Sequence, residues 1–275
     1  MTKATENRVK DKLKNIMRDT GIPFNNLLLT LFLERFIVRI GKSKHAENLI
    51  FKGGMCLNQY IDLKRQTIDM DFLLTKLKGN IDSIREMIEE VTQIEINDDF
   101  EFSDVKVSEL SLEHKKYPGY RIDLQGYLGK INKKITIDIG IGDVVRANSI
   151  EVELLKSNGP LFEESIQLNA YPPEYIFSEK LEAILHLAES NGRMKDYFDC
   201  YHLIKSNVLT PKTLKKAITD TTDNRGTKLA LITHNRDELE KRWEIFSTKN
   251  KVEDLSLDET IKEINTLLKS LFDNL

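Results

Sequence analysis

The segment ITIDIGIGD restricts the fold more than any other stretch of this chain. Ile135, Ile137, Ile139 and Ile141 alternate with Thr136, Asp138 and Gly140. A period of two belongs to a strand with one face in a core and the other turned away from it. Asp138 therefore lies on the face opposite the isoleucines. Segments near 102–110 and 119–128 carry related patterns, so three successive strands are expected, the third at 132–141, with turn-like breaks between them. The run MDFLL reads as a further strand and residues 81–93 as a helix. Residues 5–18 and 24–41 predict two helices, broken at Gly21-Ile22-Pro23. The apolar run NLIF leads into Lys52-Gly53-Gly54, and a helical segment is expected from there to about Leu63.

Beyond Gly142 the strand pattern fades. Tyr171-Pro172-Pro173 opens a helical half, proline being favoured in a first helical turn. Helices are expected at 174–190, 195–206, 211–221, 236–248 and 256–272, with Asp223-Asn224-Arg225-Gly226 as a loop between two of them. A chain of 275 residues has room for two domains. The expected division is an α+β domain with a mixed sheet and N-terminal helices over 1–168, and a helical domain over 169–275.

Charge excludes some functions. Forty-one basic residues against 44 acidic ones leave a net charge of −3, which rules out a generally polycationic nucleic-acid binder but not a local basic groove. Residues 1–50 carry 10 basic and 5 acidic residues. Lys212, Lys215, Lys216, Arg225, Lys228, Arg236, Lys241 and Arg242 form a second basic region in the helical half, interspersed with acids. Two cysteines, Cys56 and Cys200, are too few for a disulfide scaffold, and a reducing cytoplasm fits them. The first twenty residues are charged throughout and lack the apolar centre of an export signal. The most hydrophobic stretch, NNLLLTLFLERFIVRIGKS, is interrupted by Glu34, Arg35 and Arg39 and falls short of the ~20 apolar residues that span a bilayer. A buried helix is expected there, and no membrane partner.

The chemistry-bearing residues begin in FKGGMCLNQYIDLKRQTIDMDFLL. Asp69 and Asp71, two apart on an expected strand, leave the same face. Paired carboxylates repel unless a cation sits between them, and their hard oxygens suit Mg²⁺ completed by substrate phosphates. Gly53-Gly54, before a helical segment, lets backbone N–H groups approach a phosphate or else simply makes a tight turn. Asp138 becomes the third acid if its strand neighbours that of Asp69 and Asp71; three such acids can bind two metal ions. Asp123, on the same alternation but among more polar neighbours, is the alternative. Lys180 borders the apolar stripe of Ala183, Ile184 and Leu187, where it either snorkels or reaches towards phosphate. Asp196 and Asp199 share a helix face, and Lys195 is spaced to pair with Asp199, which on local evidence fits surface ion pairs as well as function.

Taken together these residues resemble the AbiEii family of nucleotidyltransferase toxins, the MenT toxins among them. The resemblance rests on K-G-G at Lys52, Gly53 and Gly54, R-x-T-x-D-x-D at Arg65, Thr67, Asp69 and Asp71, and the strand acid Asp138. It continues through E-K-L at Glu179–Leu181 and R-x-K-D-x-x-D with Arg193, Lys195, Asp196 and Asp199. It implies a polymerase-β-like nucleotidyltransferase core with a helical second domain. Wider relatives of that fold carry Gly-Ser where this chain has Gly53-Gly54, so backbone donors replace a serine hydroxyl. The implied activity is Mg²⁺-dependent transfer of a nucleotide from an NTP with release of pyrophosphate. Asp69, Asp71 and Asp138 would act as metal ligands and Lys180 on the phosphates. Lys52, Gly53, Gly54, Arg65, Thr67, Arg193, Lys195, Asp196 and Asp199 would hold the nucleotide or position the acceptor. The resemblance also implies a toxin with an antitoxin partner, in growth control or phage defence, and an RNA acceptor, tRNA above all. Transfer onto a protein, a metal-dependent nuclease and a non-catalytic binding protein are the alternatives.

Overall fold

The computed structural model describes residues 2–63, 67, 69–76, 79–110, 119–152, 155, 161–162, 166–233, 237–273 and 275. Arg65 and Arg236, singled out above, lie outside the described residues. The chain forms two compact units. The first comprises Met1–Gln59, Gln66–Gly142 and Ala147–Ala170; the second comprises Tyr60–Arg65, Asp143–Arg146 and Tyr171–Leu275.

The first unit is built on a seven-stranded mixed sheet. Its strands are β1 (Leu49–Lys52), β2 (Met70–Leu74), β3 (Glu101–Leu110), β4 (Gly119–Leu128), β5 (Ile131–Ile141), β6 (Asn148–Val152) and β7 (Ile166–Ala170). Their spatial order is β3-β4-β5-β2-β1-β7-β6. β2 runs parallel to β5, and β1 parallel to β7; the other pairs are antiparallel. β6 and β7 are additions to the expected strands. Both are short; Asn148–Val152 is mostly exposed, whereas β7 alternates over only five residues, with Ile166, Leu168 and Ala170 buried.

Four helices accompany the sheet: α1 (Thr2–Thr20), α2 (Phe24–Lys42), the short α3 (Gly53–Leu57) and α4 (Ile81–Thr92). α3 stops at Leu57 and passes into a turn, rather than continuing towards Leu63. α2 starts directly after Pro23, whose ring fixes an extended entry into the first turn (φ −57°, ψ 138°). It is buried without a break from Leu31 to Ile40, and it packs on β5 and β7. Its charged residues are therefore buried as well. Arg35 and Arg39 both bind Asp98, at 2.7 and 3.0 Å, and Glu34 accepts the backbone N–H of Leu155 at 2.8 Å. Burial pushes the Glu34 carboxyl up to about 8. Two of the ten basic residues in the first fifty are thus core ion-pair partners, unavailable to a nucleic acid. No helix among the described residues is long and apolar enough to cross a membrane.

The second unit holds α5 (Pro173–Leu187), α6 (Met194–Lys205), α7 (Pro211–Arg225), α8 (Asp237–Asn250) and α9 (Leu257–Leu271). Proline occupies the first turn of α5 and of α7. Ser256 caps α9 by accepting the N–H of Glu259 at 3.1 Å. The expected loop at 223–226 is instead the end of α7, which runs through Arg225 and stops at Gly226 in the left-handed conformation (φ 70°). α5 packs on α6 and α7, and α6 on α8 and α9, around Phe177, Leu181, Ile184, Leu203, Ile218 and Ile264.

Candidate active site

Strand register brings the acids of the first unit together. Asp71 on β2 is the partner of Asp138 on the parallel β5, of Lys52 on β1, and Asp138 in turn partners Arg121 on β4. Cα atoms of neighbouring strands lie about 4.8 Å apart, and partners share a face. A single line of side chains therefore crosses four strands in the order Lys52, Asp71, Asp138, Arg121, with charges plus, minus, minus, plus. The next line along, on the other face, is Ala170, Phe51, Phe72, Ile139 and Tyr120, buried throughout. Hydrophobic burial of that row, worth roughly 1.5–3 kcal/mol for each large side chain, fixes the register. A slip of one residue would exchange the two rows.

Asp69 departs from expectation. β2 begins at Met70, so Asp69 precedes the strand and is exposed, and ladder pairing does not set its direction. It still belongs to the same electrostatic neighbourhood. The pKa of Arg121 is raised by its hydrogen bonds to Asp138 first, with Asp123 and Asp69 adding to the effect. Arg121 grips Asp138 at both oxygens, Nε to Oδ1 at 2.9 Å and Nη2 to Oδ2 at 2.8 Å. Asp123, the alternative third acid, is instead engaged by Thr136 at 2.7 Å and Lys134 at 2.9 Å. Burial raises its pKa, but those two partners outweigh it and leave the carboxyl below its ordinary value.

The glycine pair sits against these acids. Gly53 has φ +73°, and a Cβ there would lie 1.9 Å from Oδ2 of Asp71. A Cβ at Gly54 would lie 2.8 Å from both Cγ2 and Oγ1 of Thr67. The absent side chains leave space that Asp71 and Thr67 fill, so a glycine at 53 is demanded both by backbone conformation and by the carboxylate above it. Lys52, the last residue of β1, is buried and immediately precedes α3.

The donor chemistry of this patch can be tested against Mg²⁺. Asp71 and Asp138 supply adjacent hard oxygens, matching a cation that takes one or two carboxylates and completes its shell with phosphates. Among the described residues no group of three His, Cys, Asp or Glu side chains is placed to hold a metal ion. Asp71 and Asp138 thus fit a hard cation.

In the helical unit, Lys180, Arg193, Asp196 and Asp199 form one cluster. Lys180 Nζ lies 2.9 Å from Asp196 and 2.7 Å from Asp199, and Arg193 Nε lies 2.7 Å from Asp196. Both aspartates are fully buried and Lys180 nearly so. The two Lys180 pairs are buried, while Arg193 reaches Asp196 with half of its side chain exposed. Lys195 is exposed. Burial works against the charge on Asp196, yet Lys180 and Arg193 hold its carboxyl below the ordinary value. The neighbouring Cys200 thiol is pushed up by burial, which makes it a poor nucleophile.

A further cluster surrounds Arg225, which binds Asp143 at 2.9 Å, Glu179 at 3.0 Å and Glu182 at 2.7 Å. Arg225 is therefore removed from the expected basic region. Lys216 is paired to Asp220 and Lys241 to Glu238, both at 2.8 Å, and Arg242 donates to the carbonyls of Glu189 and Asn191. Lys212 and Lys228 remain exposed, as does Lys215 beside the Phe272 ring. Arg121 and the carboxylates around Arg225 carry no local sequence signal. Only strand register identifies the first, and only helix packing the second.

The fold is a mixed seven-stranded sheet, with carboxylates in register beside a glycine turn, and a helical unit. Solved structures share it. The crystal structure of JHP933 from Helicobacter pylori is similar at a TM-score of 0.52 and 15% identity, over 90% of this chain and 93% of that one. Another, described as a candidate nucleotidyltransferase from H. pylori, is similar at 0.53 and 15% identity, over 92% and 97%. A comparison with curated proteins finds no match. The profile of the nucleotidyl transferase AbiEii toxin family, of the type IV toxin–antitoxin class, matches residues 35–268. This chain belongs to that family.

Proposed function

We propose that the chain transfers a nucleotide from an NTP to the hydroxyl of an RNA acceptor, tRNA in the first place, as the toxin of a toxin–antitoxin pair. The observation that carries this reading is the pairing of Asp71 with Asp138 on parallel strands beside the Gly53-Gly54 turn. In the proposed reaction the acceptor oxygen attacks the α-phosphorus, the bond to pyrophosphate breaks, and Asp138 receives the hydroxyl proton. Asp71 and Asp69 supply carboxylate oxygens, and Asp71 is the better placed because β1 and β5 fix it on both sides. A Mg²⁺ ion held by Asp71 and Asp138 would neutralise charge on the phosphates. Gly53 and Gly54 offer backbone donors to the triphosphate, with Lys52, Thr67 and Arg65 nearby in sequence. Transfers of this kind need mainly positioning and electrostatics, which this inventory can supply.

Lys180 stays in the proposal with a changed role. Two buried carboxylates hold its ammonium, so with Arg193, Lys195, Asp196 and Asp199 it offers a preorganised charge cluster rather than a freely reaching cation. The RNA acceptor and the antitoxin rest on the family. Exposed Lys212, Lys215 and Lys228 support a phosphate-tracking surface, smaller than the sequence suggested.

The acids test the reading. Asp71→Asn and Asp138→Asn should fold as the wild type does and lose label transfer from an NTP by about 10² or more, a scale typical for removing a charge-stabilising group. If both variants keep activity within a few-fold of wild type, the assignment fails.

A further inference from the structure

Arg121 is the one residue of the charged row that the proposed reaction leaves without work. It lies on β4, outside the motifs described above, and its guanidinium meets both oxygens of Asp138 in a two-point contact at 2.9 and 2.8 Å. Its backbone is fixed on both sides: Arg121 partners Ser108 on β3 and Asp138 on β5. The ion pair is not sealed, since about half of the Arg121 side chain and a quarter of that of Asp138 remain accessible. Asp123 and Asp69 also lie within its electrostatic reach.

A carboxylate held in this way has the lone pair of each oxygen that faces the guanidinium taken by an N–H donor. A divalent cation needs those same oxygens, and so does an acceptor hydroxyl giving up a proton. Arg121 and either of them therefore compete for one carboxylate. Solvent reaches both partners, so the pair can open to a competitor for either of them. A guanidinium that leaves Asp138 can find an equivalent two-point partner in a phosphate, whose geometry it matches equally well.

We infer that Arg121 is a latch on Asp138: it neutralises that acid while no nucleotide is bound, and on nucleotide binding it transfers from the carboxylate to the phosphates. This rests on the nucleotidyl-transfer reading and extends it with a positioning residue. The latch limits repulsion between Asp71 and Asp138 in the free protein, and it couples release of Asp138 to the arrival of substrate. A purely structural Arg121 would hold the same contact throughout.

The test is titration of the full-length protein with Mn²⁺ alone, read by electron paramagnetic resonance of the free ion, with no nucleotide or acceptor present. Arg121→Gln should bind Mn²⁺ roughly five- to tenfold more tightly than wild type, since a competitor and a repelling charge are both removed. Arg121→Lys, which keeps the charge but loses the two-point grip, should fall between. The gain should vanish in Arg121→Gln/Asp138→Asn. In steady-state assays Arg121→Gln should raise KM for NTP more than it lowers kcat. Equal or weaker Mn²⁺ binding in Arg121→Gln refutes the latch, as does a gain that survives Asp138→Asn. If wild type transfers no nucleotide yet the Mn²⁺ gain depends on Asp138, the proposed function fails and the competition stands. If wild type transfers nucleotide and the gain is missing, only the latch fails.

Discussion

Gly53→Ala is the substitution in which backbone, packing and site can be separated. At φ +73° an alanine is in the left-handed region, which costs roughly 1–2 kcal/mol. Its Cβ would also stand 1.9 Å from Oδ2, 2.6 Å from Cγ and 2.8 Å from Cβ of Asp71. No small adjustment relieves three such contacts, so the Asp71 side chain must leave its place. The combined cost is expected to be about 2–3 kcal/mol. At about 2–4 °C per kcal/mol for a chain of this order of size, Tm should fall by roughly 4–12 °C. Transfer activity should fall further than stability, because moving a catalytic group by about 1 Å can cost around 10²-fold. Thermal unfolding and label transfer should be measured on Gly53→Ala, Asp71→Ala and the double variant. In the double variant the contacts with Oδ2 and Cγ are gone, while the 2.8 Å approach to the Cβ of residue 71 and the backbone cost remain, so part of the stability should return. An unchanged Tm in Gly53→Ala, or a double variant whose losses simply add, would refute the reasoning.

Two other expectations follow from the buried charges. Lys180→Ala leaves Asp196 and Asp199 buried with one cation fewer, and it should destabilise the chain by about 3–5 kcal/mol in urea unfolding; a loss below about 1 kcal/mol would show that the cluster is not structural. Because Asp196 has a lowered folded pKa, its contribution is present above its ordinary value of 3.8 and fades as pH falls through the folded value; Lys180→Ala should move that fading to higher pH. Glu34 has the opposite sign: between its ordinary 4.5 and about 8 the folded chain keeps a proton the unfolded chain has lost. Its contribution should make stability fall as pH rises through that window, by of order 1 kcal/mol per pH unit, and Glu34→Gln should flatten the slope. An identical slope in the variant, measured by urea unfolding at pH 5.5 and 7.5, would exclude Glu34 as its source.

What could be read in advance divides along physical lines. β5 and α2 were legible because each carries its own signal: alternation of four isoleucines in one, and a long apolar run entered through Pro23 in the other. β7 carries an alternation of its own, Ile166, Leu168 and Ala170 against Gln167 and Asn169, but over five residues only, and it was passed over although it neighbours β1. The acids Asp71 and Asp138 could be named from sequence, but their adjacency is a property of register, carried by Phe51, Phe72 and Ile139 on the opposite face. Charges misled where burial reverses their meaning. Arg35, Arg39 and Arg225 count as surface positives in composition and are core ion-pair partners in the fold. Lys180 borders an apolar stripe as expected, yet its ammonium turns to Asp196 and Asp199 of α6, of which local spacing had paired Asp199 with Lys195.

The central claim, transfer of a nucleotide from an NTP to RNA, is tested most directly by the fate of two labels. The purified chain is incubated with Mg²⁺ and total RNA, with a protein extract in parallel, using NTPs labelled at either the α- or the γ-phosphate. The expected result is α-label joined to RNA of tRNA size, γ-label released as pyrophosphate, and loss of both signals in Asp71→Asn. Label on a protein with tRNA unmodified would overturn the acceptor and leave nucleotidyl transfer standing. RNA shortened without any label incorporated, γ-label carried to the acceptor, or no transfer from any of the four NTPs would contradict the claim itself.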